Sequence, residues 1–538
     1  MGLSRETGST GEKATSMWMG VQRSPGEGVA MRCGTWRTGL GGMKAAWAAV
    51  SIVMGVLAVG AVVKRNVVGA APEDPKLNAN ESAHHVLVRL AFGPRPGEYK
   101  TVAKEGWQKW VESQLDPASI DDSKLDERIT KECPSVRRTL SELEGLSRES
   151  DRDTERESRD RIKNELRKAV LLRAVHSERQ LQEVIVDFWR NHFNVDVNKV
   201  PYLATHYEEN VLRTHAFGKF DDLLMATARH PAMLVYLDNY VSNRNGLNEN
   251  YARELMELHS LGVDNGYKQQ DVINLAKVLT GWTCGWRPAE NASAGNETEY
   301  KFFFNEGAHD PTPVTVVGLD IGGQGGIADG EAAIRHLALH NNTSRFIAAK
   351  LCRYLVRDNP DPAFVERVSS VFRKTEGDLK AVYRAIILDP EFMKSSNFRC
   401  KVRTPFEFIV SALRMTDARI ESPDRIFREL QLMGQPLYEC LEPTGYSDAQ
   451  EAWLDPGVMV YRWNFSIELV TGKVKGVSGG MEFVEPILKA PADSRPRKVM
   501  EMLLPGVTDP KLEKLLTFTP DPRAITAFAL GSPSFQQQ

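Results

Sequence analysis

From Ala45 to Val63 the chain reads AAWAAVSIVMGVLAVGAVV, nineteen residues without a charge. At about 1.5 Å of rise per residue, a helix of this length nearly crosses a hydrocarbon core of roughly 30 Å. Lys44 bounds the run on one side, and Lys64 and Arg65 bound it on the other. A buried core helix is the other use of so apolar a stretch, but such helices sit among amphipathic neighbours. Residues 1–44 are instead polar, Gly-rich and without helical periodicity, the pattern of a disordered N-terminal segment. The run is therefore expected to direct the chain to a membrane.

Two forms of the segment stay open. A retained transmembrane anchor fits its length, which exceeds the roughly 7–15 residues of a signal-peptide core. A cleaved signal peptide fits the small residues Gly69, Ala70 and Ala71 ahead of Pro72, and a start at Met43 instead of Met1 or Met31 would make a compact leader. Arg23, Arg32, Arg37 and Lys44 slightly outnumber Lys64, Arg65 and Lys76, which favours an inside N-terminus. The main domain is thus expected outside the cytoplasm: in the periplasm or cell envelope if anchored, secreted if cleaved near Ala71.

The 538 residues suffice for two or three sub-cores, or for one large helical domain. A formal net charge of −3 supplies no concentrated basic surface, so nucleic acid is not an expected partner. The six cysteines, Cys33, Cys133, Cys284, Cys352, Cys400 and Cys440, contain no Cys-x-x-Cys pair, which argues against a structural zinc site. Export would permit one or two disulfides among them, in a pairing the spacing does not define.

Beyond a linker at residues 64–81, the pattern becomes helical. Ser82 reads as the N-cap of SAHHVLVRLAF, GPRPG breaks that helix, and a Trp-bearing helix follows around Tyr99 to Leu115. The alternating charges of SRESDRDTERESRDRIKNELRK, from Ser147, read as a solvated helix face laced with i,i+4 pairs. From Ala169 to Trp282, apolar residues recur at three- and four-residue spacing, with Gly262 as a helix stop. YKFFFNEGAHDPTPVTVVGLDIGGQGG predicts a small β-hairpin insertion around 300–320, and helical periodicity then resumes to the C-terminus. The expected class is mainly α: a large multi-helix domain at 82–470, extended by 471–538 and preceded by one transmembrane helix.

HHVLVRLAFGPRPGE from His84, VIVDFWRNHFNV from Val184, HPAMLVYLDN from His230, GLNENYARELMELHSLGVDNGY from Gly246 and DVINLAKVLTGW from Asp271 together resemble the bacterial family called domain of unknown function 1800. FNEGAHD, KVRTPFEFIVSALR and GQPLYECLEPTGYSDAQEAWL continue the resemblance in order, over roughly residues 82 to 470. It implies a large, mostly helical, often exported bacterial protein and brings no catalytic residues. Genes of this family are commonly found beside genes of another exported family with a sulfatase-like fold, which implies an exported protein partner.

The residues best placed for chemistry lie on the helix around Asn248 to His259. At 100° per residue Asn250, Glu254 and Glu257 share a face, and Glu249, Arg253 and Met256 share the adjacent one. Arg253, Glu254 and Glu257 are the catalytic candidates; a buried network centred on Arg253 is the structural alternative. His259 is about 140° round the helix from Glu254, so no metal is held by this helix alone. A divalent metal such as zinc, iron or manganese would draw on His192, Glu254, His309 and Asp310 together. The remaining histidines His84, His85, His215 and His230 read as structural. Trp189, Trp282, Trp286 and Trp453 read as core in preference to a carbohydrate groove. Cys352 reads as inert on a buried face. Two functions follow as expectations: a membrane-anchored or exported scaffold or binding partner of the envelope, and an exported metal-assisted hydrolase or oxidoreductase.

Overall fold

The computed structural model describes residues 76–148, 151–289, 298–322 and 325–538. The chain divides into two units, Met1–Val50 and Ser51–Gln538, and every described residue belongs to the second. The apolar run at 45–63 lies outside the described residues. Among those described, no helix is long and apolar enough to cross a membrane.

The body is mainly helical, as its periodicity predicts. Helix α1 (Ala79–Arg89) is capped by Asn78, four residues ahead of the expected N-cap at Ser82. The reason is a capping box: Asn78 Oδ1 accepts from Asn80 N at 2.9 Å and Glu81 N at 3.0 Å, and the Glu81 carboxylate accepts from Asn78 N at 2.8 Å. The expected Trp-bearing helix is divided into Glu98–Glu105 and Trp107–Gln114, because Gly106 between them takes φ +94°.

Helix α2 (Arg152–His176) carries the charge run, and its first turns are largely exposed. Its ion pairs reach other parts of the chain instead of running along the helix. Lys163 and Arg167 meet Glu439, Lys168 meets Glu132, and Arg173 meets Glu209. Helix α3 (Gln180–His192) follows at once and is buried along most of its length. Its Trp189 donates to the Tyr383 hydroxyl at 2.7 Å, and Tyr383 donates on to Ala216 O at 2.7 Å, so two large buried aromatics keep their polar atoms bonded. After α3 the helix Leu203–Tyr207 passes through a π-helical turn, Glu208–Leu212, into Arg213–His215.

Helix α4 (Asn250–Glu257) ends five residues before Gly262, which instead sits at φ +95° in the turn beyond it. A Cβ there would come within 2.8 Å of the Phe346 ring. Helix α5 (Gln269–Val278) leads into β structure that is more extensive than the insertion expected at 300–320. Strands β1 (Trp282–Pro288) and β2 (Thr298–Phe304) pair antiparallel with Trp282 opposite Phe304, and β3 (Val314–Val316) pairs with β4 (Leu319–Ile321). The first hairpin hides in sequence because Trp282 looks like the end of an amphipathic helix.

Helices α6 (Asn341–Leu355), α7 (Pro405–Met415), α8 (Pro456–Val470) and α9 (Pro522–Gly531) are among the helices that build the remainder. A short ladder, β5 (Arg419–Ile420) with β6 (Val477–Ser478), was not foreseen. Helix α7 packs on α2, and α8 packs on α9. After α9 the last residues run antiparallel to residues 401–403: Arg403 N donates to Gln536 O at 2.8 Å and Gln538 N to Lys401 O at 2.9 Å. The five described cysteines are all free thiols.

Candidate functional site

The expected candidates take separate positions. Arg253 on α4 bonds Glu249 at 3.2 Å, Glu257 at 3.4 Å and the Gln269 amide oxygen at 2.9 Å. This is the predicted arginine-centred network, but it lies at the surface, with the Arg253 side chain 35% exposed. Helix α4 buries its other side, through Tyr251, Ala252, Leu255 and Met256. Glu254 is half-buried, and its carboxyl is raised above the usual range by burial and then by Glu257.

His192, at the end of α3, is buried among Phe188, Trp189 and Phe193, with Nε2 3.3 Å from His259 O. Burial holds its imidazole well below the ordinary value. His309 packs on Phe304, and its Nδ1 lies 3.0 Å from Thr280 O. Asp310 turns back on its own loop, accepting from Thr312 Oγ1 at 2.6 Å and Thr312 N at 3.0 Å. Among the described residues no three His, Cys, Asp or Glu side chains gather to hold a metal ion. The convergence expected of His192, Glu254, His309 and Asp310 is not formed, because His192 faces an aromatic core while His309 anchors a turn.

A different set of residues does converge. Asp187, Arg190, Asn191 and Asn194 line a cleft with residues of α6, the 401–407 segment and the 435–453 segment; its cavity volume is about 60 Å³. That is room for several ordered waters. Arg190 is its centre. Nη1 donates to Asp187 at 2.7 Å, Nη2 to Glu208 at 2.9 Å, and Nε to Glu208 at 3.3 Å. Glu208 opens the π-helical turn, is 0% exposed, and also accepts from the Tyr438 hydroxyl. Turns of this kind recur at functional sites, since the extra residue re-aims the side chains around it. Burial works against the Glu208 carboxylate, yet Arg190 and Tyr438 bring it below the usual range.

Asp187 behaves in the opposite way. Burial pushes it up to about 6; Arg190 opposes the shift and the charge of Glu407 reinforces it. Its second oxygen accepts from Tyr354 Oη at 3.1 Å. Two carboxylates share one guanidinium, and one of them is poised to exchange a proton near neutral pH.

The 435–453 segment is fastened by two amides, one on α3 and one just beyond its end. Asn191 Nδ2 donates to Tyr446 O at 2.8 Å while its Oδ1 accepts from Tyr446 N at 2.7 Å. Asn194 Nδ2 donates to Cys440 O at 3.0 Å and Glu442 O at 2.9 Å. Gly445 takes φ +70° at the closest approach, where a Cβ would stand 2.3 Å from Asn191 O. Across the cleft Lys401 Nζ donates to Asp358 at 2.7 Å and to Arg353 O at 2.8 Å. Thr404 and Glu407 cap α7, and Gln538 Nε2 donates to Glu407 Oε1 at 2.9 Å.

The sequence carried one sign of this site. Asp187, Arg190, Asn191 and Asn194 recur at helical spacing within a segment otherwise built of Val, Ile, Phe and Trp. A polar stripe on a helix too apolar to be a surface helix marks a buried polar cluster. The partners contributed by residues 354, 401–407 and 435–453 had no such local mark.

Fold and cleft together define a mainly helical protein whose body encloses a polar, carboxylate-bearing cleft. The chain belongs to the family described as "Protein of unknown function (DUF1800)", whose model matches residues 85–537. The match takes in the C-terminal residues that the sequence motifs had left as an extension. No curated protein and no solved structure matches the chain.

Proposed function

We propose that this is an exported helical protein of the cell envelope that binds a small polar ligand in the cleft over α3. The observation that carries the reading is the cleft itself: water-sized space walled by Asp187, Arg190, Tyr354 and Glu407 within the helical body. Concave sites with a few convergent polar groups and a shifted carboxyl are the usual form of small-ligand sites. The apolar run at 45–63 supports placement at the membrane, held there as an anchor or released by cleavage near Ala71.

Asp187 favours a second reading, in which the cleft carries out hydrolysis. A carboxyl pushed up to about 6 is suited to give and take a proton near neutral pH. This version needs no metal set built from His192 and His309.

Two measurements test the reading. Protease treatment of intact and opened cells should reach the main domain only from outside the cytoplasm, and cytoplasmic protection would refute export. Thermal-shift screening of the full chain with neutral, anionic and cationic small molecules should stabilise the wild type, with the gain lost in Asp187→Leu. A gain retained in that variant would place the ligand elsewhere.

A further inference from the structure

We infer that the cleft takes the hydroxyl-bearing edge of a neutral sugar. This deepens the reading of the cleft as a ligand site and rests on it.

Charge is the first argument. The two cations lining the cleft are already matched: Arg190 by Asp187 and Glu208, and Lys401 by Asp358 at 2.7 Å. No guanidinium or ammonium of the lining is left to receive a phosphate or carboxylate. The lining carboxylates are matched as well. Asp187 holds Arg190, Asp448 lies 3.7 Å from Lys350, and Glu407 accepts from Thr404 N and Gln538. A cationic ligand would have to compete with these partners, whereas a neutral ligand disturbs none of them.

The groups still open to a ligand are a neutral amide donor, a hydroxyl and the spare acceptor positions of Asp187. Gln435 uses Oε1 to accept from Phe406 N at 2.9 Å, which leaves its two Nε2 hydrogens. Ser447 Oγ accepts from Ala449 N at 3.2 Å and retains its own proton. Asp187 has lone pairs beyond those used by Arg190 and Tyr354. A vicinal pair of sugar hydroxyls, each donor and acceptor at once, satisfies such a set by replacing the waters the cavity admits. Tyr446 and the buried Trp453, with ring centroids 6.3 Å apart, give the lining an aromatic side against which sugar C–H groups pack. The cavity volume of about 60 Å³ admits an edge and leaves the rest of the ring at the mouth.

The test titrates full-length protein with cellobiose and N-acetylglucosamine as neutral probes, glucuronate and glucose 6-phosphate as anionic ones, and glycine and phosphate as polar non-sugars. Tryptophan fluorescence, saturation-transfer NMR and melting temperature are read together. Saturable binding of a neutral sugar is expected, with the anionic sugars at least tenfold weaker. Gln435→Glu keeps the acceptor for Phe406 and removes the Nε2 donors; it should weaken the sugar about three- to tenfold, the value of one hydrogen bond, without lowering the melting temperature. Tighter binding of an anionic probe, binding of glycine or phosphate in place of sugar, or sugar binding unchanged in Gln435→Glu overturns the sugar assignment and leaves the cleft as a ligand site. Silence from every probe in all three readouts overturns both. Competition between cellobiose and cellulose then separates a free sugar from a polymer end.

Discussion

Gly445 shows how much one residue decides at this site. It combines a left-handed backbone with a 2.3 Å approach to the Asn191 carbonyl, so a methyl group is unfavourable twice over. Gly445→Ala is expected to cost about 1–3 kcal/mol in urea unfolding and to free Tyr446 from α3. Asp187 yields a pH dependence. Its native pKa of about 6 lies above the unfolded value of about 3.9, so the native state binds more protons between the two. Its contribution is therefore most favourable below about pH 4 and is lost as pH rises through 6. A difference of about two units corresponds to roughly 2–3 kcal/mol, and Asp187→Asn should flatten the stability profile across that window. A profile unchanged by the substitution would show that Asp187 does not titrate there. By contrast, Arg253→Ala should cost no more than about 0.2–1 kcal/mol, because its partners are half-exposed on the surface of α4.

At the scale of the element, caps account for where helices begin. The apolar period alone places the first helix at Ser82, but Asn78 and Glu81 bond each other's backbone and move the start outward. Asn78→Ala should lower stability by about 1 kcal/mol, and Ser82→Ala, at the position the period suggested, by less. Amphipathic stretches were legible because burial on one side leaves a 3.6-residue repeat, as in α4 and α5. Hairpin β1–β2 was legible only in its second strand. Trp282 continues the apolar spacing of α5, and only Gly281, whose Cβ would stand 2.5 Å from Asn305 O, marks the change of direction.

Across the whole molecule, the C-terminal tail belongs to the cleft's supporting wall. Residues 536–538 bond the backbone of 401–403, and Gln538 holds Glu407. Removing residues 533–538 should speed hydrogen exchange in 401–407, with little change in α4 and α5. Equal exchange in that segment with and without the tail would show that the tail is not needed there.

By itself the sequence determined the mainly helical class of this protein and its family: helical periodicity, glycine turns and ordered motifs are local signals that survive without neighbours. Only the tertiary structure decided the site. The apolar run at 45–63, the strongest sequence feature, carries nothing about what the chain binds. The metal candidates were chosen for residue type, and folding scattered them, because the directions of His192 and His309 were set by the aromatics and turns around them. The cleft instead joins the end of α3 to α6 and to the 401–407 and 435–453 segments, which lie far along the chain from it. Chemistry assembled across such separations has no local repeat, and it becomes visible only when burial forces each charge to find its partner.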